Sequence, residues 1–186
     1  DHPLRRVLGD LPTAVTRRVT LAPLSHGAVE QLARATGRDA AALHRLTGGN
    51  PLYVSELLAA PGVTVPASVR DAVLARFGRL SPAAQQIVEL VAIEPGRLER
   101  AVIEAIIADA AQAMSEATGS GVLRAEGGWL AFRHEIARQC IEAELPPDRR
   151  AALHAQVLHV LRNEDVVLTS LAREVHHAIG AGRHDD

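Results

Sequence analysis

The chain has 186 residues, of which 47% are hydrophobic, 23% charged and only 2% aromatic, a composition typical of a folded globular protein. Its 20 basic residues are all arginines and stand against 22 acidic residues, which gives a formal net charge of -2. This balance provides no overall attraction to nucleic acid or to an anionic membrane. Because lysine is absent, the chain holds no GxxxxGK[ST] phosphate loop and no Schiff-base amine, and we expect no catalytic residues in it.

A single cysteine, Cys140, excludes an internal disulfide and every CxxC metal site. No apolar run reaches the roughly 18 to 20 residues that cross a bilayer, and the first residues carry acids and prolines where a signal peptide is apolar. We therefore expect a cytoplasmic protein that does not contact membranes. The chain begins without methionine, and we expect it to be a segment of a longer protein.

Helix start signals recur along the first half of the chain. Ser25, Asp39 and Asn50 are good N-cap residues, and Pro51 occupies the first helical position, where a missing N–H costs nothing. These signals predict a compact group of three helices that ends near residue 60. Pro66 and the Ser81-Pro82 pair begin two further amphipathic helices.

The second half contains two tandem helices after Gly96, a β-hairpin, two more amphipathic helices, and a last helix from Glu164 onward. The Gly127-Gly128 turn places Glu126 opposite Trp129, Ala125 opposite Leu130 and Leu123 opposite Phe132. The apolar pairs then share one face. Residues 66 to 160 thus predict a winged-helix arrangement with one β-hairpin, and the fold class is mainly α. Before residue 25, VTRRVTLAPLS resembles a lone β-strand.

The histidines and the cysteine have ordinary structural interpretations. The segment HEIAR is not an HExxH zinc motif, because Arg138 occupies the position of the second histidine. Adjacent His176 and His177 should point about 100° apart on a helix, which is poor geometry for one ion, and we expect both to be solvated. We therefore predict no metal site. We expect His44, His154 and His159 at the half-buried edge of the core, and Cys140 as a buried thiol.

A winged helix suggests DNA binding, but its third helix carries the acids Asp109 and Glu116 and no arginine. The hairpin adds only Arg124 and Arg133. Such a helix can neither pair with phosphates nor bind guanine. We expect no direct DNA contact from this chain and interpret the winged helix as a packing module.

Three sequence segments occur in a distinctive order: LHRLTGGNPLYVSELL, then VPASVRDAVLARFGRLSPAAQQIVELVAI, then FRHEIARQCIEAELPPDRRAALHAQVLHVL. Over about residues 17–162 the chain resembles the STAND class of signal-transduction ATPases, and most of all the large ATP-binding LuxR-type bacterial regulators. In that family a P-loop core precedes a helical lid, a winged helix and tetratricopeptide-like repeats. The resemblance implies a core remnant with an edge strand at 1–24, the helical lid at 25–62, the winged-helix domain at 63–163 and the first repeat helix at 164–186.

The resemblance also implies nucleotide-binding residues. Gly49, Asn50 and Pro51 resemble the lid motif whose proline packs against adenine, at a helix N-terminus with exposed N–H groups. His134 resembles the winged-helix histidine that reaches the β-phosphate in the closed, ADP-bound state. Arg133 and Glu135 replace the apolar residue and the aspartate that usually flank it. Bound Mg²⁺ would be held only by the absent core, so the chain contains half of an ATP/ADP site.

The leading hypothesis is therefore a regulatory switch segment of an ATP-dependent, LuxR-like transcriptional regulator. Its partners would be the P-loop core and repeat domains of the same protein, and a second copy when the regulator is activated. Two other functions stay open: a stand-alone winged-helix DNA-binding protein, and a helical protein-interaction module that binds no nucleotide.

Overall fold

A computed structural model describes residues 21–60, 65–163 and 171–182. Within these ranges it contains ten helices and three short strands. In chain order they are α1 (His26–Ala33), α2 (Ala40–Thr47), α3 (Pro51–Ala59), α4 (Ala67–Phe77), α5 (Pro82–Ala92), β1 (Arg97–Glu99), α6 (Arg100–Ile106), α7 (Ala110–Gly119), β2 (Leu123–Glu126), β3 (Trp129–Phe132), α8 (Glu135–Glu144), α9 (Pro147–Asn163) and α10 (Leu171–Gly180). The prediction of a mainly helical fold is confirmed.

The first three helices begin where the cap residues predict. The Ser25 hydroxyl accepts a hydrogen bond from the Ala28 N–H, and the Asp39 carboxylate accepts from two N–H groups of α2. The Asn50 side chain accepts from the N–H of Leu52, with proline at the first helical position. Each cap satisfies N–H groups that the helix leaves unpaired.

Helix α5 is the centre of the hydrophobic core. It packs against α7, α8, α9, β1 and β3, and its apolar residues are spaced so that most of its circumference is covered. Six of its eleven residues are buried: Ala84, Ile87, Val88, Leu90, Val91 and Ala92.

The three strands form one antiparallel sheet in the order β1-β3-β2. The predicted hairpin register is confirmed, with Ala125 opposite Leu130 and Leu123 opposite Phe132. The hairpin is not the whole sheet, because a third strand that was not predicted, β1, pairs with the other edge of β3 and places Leu98 opposite Leu130. A three-residue strand has no periodicity to reveal it, and it leads directly into α6.

The first three helices join the remainder through α2, which packs on α8, and through α3, which packs on α4. Helix α10 packs along α9. The predicted strand VTRRVTLAPLS lies largely outside the described residues, and its last part, residues 21–25, is neither helix nor strand. The division into a core remnant, a lid, a winged helix and a repeat stays a prediction. In the part of the chain that is described, every helix is too short or too polar to cross a membrane.

Candidate functional site

The turn between α2 and α3 has a backbone conformation that two glycines permit. Gly48 and Gly49 have φ angles of 58° and 72°, in the left-handed region that favours glycine. A Cβ on Gly49 would lie 2.2 Å from the carbonyl oxygen of Leu24. The Leu24 N–H donates to the Gly49 carbonyl at 2.8 Å, and His44 Nε2 lies 3.2 Å from the Leu24 carbonyl oxygen. The segment that precedes α1 therefore lies directly on the Gly48-Gly49 turn.

The N-terminus of α3 offers fewer N–H groups than the sequence suggests. The Asn50 N–H donates to the Thr47 carbonyl at 3.1 Å, the Leu52 N–H donates to Asn50 Oδ1 at 3.0 Å, and Pro51 has no N–H. The expectation of exposed N–H groups is wrong at these three positions, because the Thr47 carbonyl accepts one, the Asn50 side chain accepts another, and proline has none. What this helix end exposes is apolar surface, since Pro51 is exposed and Leu52 is 55% exposed.

His134 lies against this turn from the other side. It is the N-cap residue of α8, and its side chain makes no capping hydrogen bond. Its Nε2 is 3.5 Å from Asn50 Nδ2, its ring stands edge-on to Tyr53 with centroids 5.2 Å apart, and a Cβ on Gly48 would lie 3.0 Å from its Nδ1. Two of the four residues singled out by the resemblance, Asn50 and His134, are thus in contact. Gly49 and Pro51 flank Asn50 in the chain.

The cap on α3 determines the protonation state that this contact favours. Because Asn50 Oδ1 accepts from its own helix, the group that faces His134 is the NH₂, a donor. His134 Nε2 must then accept, which requires a ring with no proton on that nitrogen. Nδ1 is buried and makes no well-formed hydrogen bond to a described residue, although the Thr47 backbone lies close enough to raise the pKa of the ring.

The pKa of His134 is lowered, first by burial and then by the charges of Arg133 and Arg76, while the Thr47 backbone opposes the shift. The surroundings of the ring therefore carry positive potential. The N-termini of α3 and α8 also meet at this ring, and each adds a partial positive charge. The one acid in the first turn of α8, Glu135, is bound by Arg138 at 2.8 and 3.0 Å.

A small cavity adjoins the ring and is lined by His134, Tyr53, Arg76 and Ala137, among others. Its volume of about 10 Å³ holds about one water molecule. A nucleotide cannot enter it. Any nucleotide contact with these residues would therefore be made on the outer surface, beside Pro51 and Leu52.

Two of the residues weighed for DNA binding, Glu116 and Arg124, have partners within the chain. Both oxygens of Glu116 on α7 accept hydrogen bonds from Ser81, from its N–H at 2.7 Å and its hydroxyl at 2.6 Å. Arg124 on the hairpin pairs with Glu126. Arg133 is exposed.

Cys140 is buried, and burial raises the pKa of its thiol, as expected of a structural cysteine. The predicted half-buried position is confirmed for His44, but His159 is exposed and His154 is buried. The expectation that both residues of the His176-His177 pair are solvated is wrong, because His177 is fully buried against α9 and Glu94.

Sequence reasoning missed Thr47, Tyr53 and Arg76 at this site. The Thr47 hydroxyl donates to the Leu43 carbonyl at 2.8 Å and accepts from the Gly49 N–H at 3.2 Å, and so fixes the turn. Tyr53 and Arg76 line the cavity beside His134. Tyr53 could have been found, since it is the one tyrosine in the chain and lies three residues after Asn50. Arg76 carried no such signal.

No family model matches this chain, and no curated protein matches it in sequence. A solved structure does resemble it, namely a signal-transduction ATPase with numerous domains (STAND) from Pyrococcus horikoshii that carries a tetratricopeptide repeat sensor. The TM-score is 0.53 at 17% identity, over 86% of this chain and 25% of the other. The likeness is one of fold. The chain spans about a quarter of the length of that STAND protein.

Proposed function

We propose that this chain supplies the lid and winged-helix side of an ATP/ADP site in a nucleotide-dependent switch, as in LuxR-like transcriptional regulators. The observation that carries the proposal is the contact between Asn50 and His134, which are 84 residues apart. The sequence resemblance identifies these two motifs separately, as a base contact and a phosphate contact. Their meeting in one structure is what a shared ligand requires.

The likeness to a STAND protein supports the same function at the level of fold. In this proposal the three strands with α5, α6 and α7 form the winged helix, and α10 belongs to the first repeat. The P-loop core would precede the lid. Leu24 supports that order, because the chain enters the lid beside Gly49 and a preceding core would therefore lie next to the Asn50-Pro51 helix end.

The described residues suit one side of a nucleotide-binding site. The exposed ring of Pro51 and the exposed side chain of Leu52 offer an apolar surface to a base. Arg133, Arg76 and the two helix N-termini offer positive potential to a phosphate beside His134. The lysine and metal-binding carboxylates that neutralise phosphates in P-loop enzymes would come from the core, so we propose that this chain alone is not an enzyme. In this proposal the charge to which His134 responds is the β-phosphate of the nucleotide in the closed, ADP-bound state.

The Asn50 contact explains how one residue can respond to that charge. To donate to a phosphate, His134 needs a proton on the donating nitrogen, whereas Asn50 requires that its Nε2 accept. At 3.5 Å the Asn50 contact is long and weak, so a charged acceptor can displace it. His134 then loses its contact with Asn50 in the lid and gains a contact with phosphate. The position of the lid depends on which of these two contacts is made.

The test compares Pro51→Ala with His134→Ala in the protein encoded by the complete reading frame. Pro51→Ala removes an apolar contact to the base and should weaken ATP and ADP alike. His134→Ala should weaken ADP more than ATP, by about 5- to 100-fold for one charge-assisted hydrogen bond, and raise basal activity without inducer. Arg124→Ala on the hairpin is the control and should change neither affinity. Equal loss of both nucleotides in His134→Ala, with basal activity unchanged, would refute the proposal.

A further inference from the structure

Three histidines from two helices meet at a place remote in the chain from the Asn50-His134 contact. His154 lies on α9, and His176 and His177 lie on α10. Each offers one ring nitrogen, and the three nitrogens all lie within 4.8 Å of one another. The shortest approach is 2.9 Å, between Nδ1 of His154 and Nδ1 of His177. The three ring centroids are 5.2, 5.1 and 5.0 Å apart, a nearly equilateral triangle.

The outer nitrogens of two rings are held by acceptors. His177 Nε2 lies 2.9 Å from Glu94 Oε2, and His176 Nε2 lies 3.0 Å from the Ile93 carbonyl oxygen. An acceptor fixes the proton on the nitrogen that it faces, so the Nδ1 atom of each ring keeps its lone pair. In the metal-free chain a neutral His154 can donate its Nδ1–H to the lone pair of His177 Nδ1, and a metal ion between the rings would replace that proton.

We propose that His154, His176 and His177 form a site for a divalent transition metal, with Zn²⁺ the best match, and that their Nδ1 atoms are the ligands. Tetrahedral geometry with metal–nitrogen bonds of about 2.1 Å places imidazole centroids about 5 Å apart, close to the observed triangle. The two facing Nδ1 atoms need to separate from 2.9 Å to about 3.4 Å. Three neutral imidazoles suit zinc and leave a fourth position for water on the side of the half-buried His176.

Glu94 provides the outer support that metal-binding histidines usually have. A carboxylate that accepts from the far nitrogen of a ligand orients the ring and makes it a better donor to the metal. Glu94 and Glu99 are both buried, at 5% and 7% exposure, and they share the single guanidinium of Arg173. Two carboxylates and one guanidinium leave a net negative charge beside the three rings. A bound cation compensates it.

The His154 ring is positioned by a close approach of α10 to α9. Gly180 permits the placement of this ring, because a Cβ there would lie 2.4 Å from it. Bound metal would fasten α10 to α9, the junction at which the proposed repeat begins.

The experiment is a titration of the chelator-treated 186-residue chain with ZnCl₂ by calorimetry, with CoCl₂ in parallel to record the absorption of tetrahedral cobalt. The expected result is one metal ion per chain, tetrahedral cobalt bands, and a Tm that rises with Zn²⁺ and falls again with chelator. His176→Ala removes the half-buried ligand and should weaken binding at least tenfold while the chain stays folded. Glu94→Gln should weaken it about 10- to 100-fold, as expected for an outer-shell carboxylate.

His159→Ala is the matched control, since this exposed histidine lies on the same helix as His154, and it should bind as the unchanged chain does. Gly180→Ala keeps all three ligands but displaces the His154 ring, and should also weaken binding. The proposal is overturned if the unchanged chain takes up no stoichiometric Zn²⁺. It is equally overturned if His176→Ala, folded by circular dichroism, binds Zn²⁺ as tightly as His159→Ala.

Discussion

Asn50 presents its NH₂ group to His134 because its carbonyl oxygen is already bound to the Leu52 N–H. The helix cap and the histidine contact thus depend on one side chain, and the orientation of the amide is determined by the cap. The contact requires a His134 ring with an unprotonated Nε2. Substitutions at position 50 can therefore change the cap and the histidine separately.

Asn50→Ala removes both functions of the side chain, whereas Asn50→Asp keeps the cap and replaces the NH₂ donor by a carboxylate oxygen. Loss of the cap in Asn50→Ala should lower the free energy of unfolding by about 1 kcal/mol, as measured by urea denaturation. Asn50→Asp retains a capping oxygen and presents a second carboxylate oxygen to His134, so the pKa of His134 should rise. An NMR titration of the His134 ring measures it. An unchanged pKa of His134 in Asn50→Asp would mean that the side chains at positions 50 and 134 do not interact.

His134 should also make the fold less stable in mild acid. Because its folded pKa lies below the unfolded value of about 6.5, the unfolded chain binds the proton first when the pH falls. Stability from this group is complete above about pH 6.5 and is lost as the pH falls toward the folded pKa. His134→Gln removes the titration. The free energy of unfolding should therefore fall less between about pH 7.5 and 5 in His134→Gln than in the unchanged chain, and parallel curves would contradict the prediction.

The local rules of the sequence were enough to locate the helices and the hairpin. Caps at Ser25, Asp39 and Asn50 and the Gly127-Gly128 turn depend on neighbours within a few residues, and each is present as predicted. Strand β1 was missed because three residues have no period, and its pairing partner, β3, lies about thirty residues later.

The sites depend on contacts between distant segments, and here the sequence was less informative. His134 was singled out only through a family resemblance, since nothing near it in the chain indicates that it meets Asn50. Adjacent helical residues point apart, so the His176-His177 pair alone predicts no metal site. The third histidine, His154, comes from α9, 23 residues before His177, and no local pattern of the sequence brings it to the pair.

The chain should not bind DNA at physiological salt. Glu116 on α7 is occupied by Ser81, Arg124 is paired with Glu126, and α7 contains no basic residue to release counterions. Fluorescence anisotropy with a random duplex at about 0.15 M salt should show no micromolar binding. Binding that Arg124→Ala with Arg133→Ala abolishes would instead favour a stand-alone DNA-binding protein.

Arg173 should be the most sensitive residue in the attachment of α10. Its guanidinium binds Glu99 through two hydrogen bonds of 2.6 and 2.7 Å and Glu94 through a third of 3.1 Å. Arg173→Leu would leave two buried carboxylates without their cation, and breaking such a buried pair costs about 3 to 5 kcal/mol. Urea denaturation should record this loss, and hydrogen exchange should show it first as lost protection in α10.

Two further variants separate the buried charge from the loss of a large side chain. Adding Glu99→Leu to Arg173→Leu removes one stranded carboxylate and should recover part of the lost stability, because a buried ion pair replaced by apolar groups is close to neutral. Arg100→Ala breaks an exposed pair with Glu104 and should cost no more than about 0.5 kcal/mol. If Arg173→Leu cost as little as Arg100→Ala, the carboxylates would have to be neutralised in another way, by protonation or by another cation. The candidate cation is a metal ion on the three histidines. Chelator tests it, because removal of the metal should destabilise Arg173→Leu more than the unchanged chain.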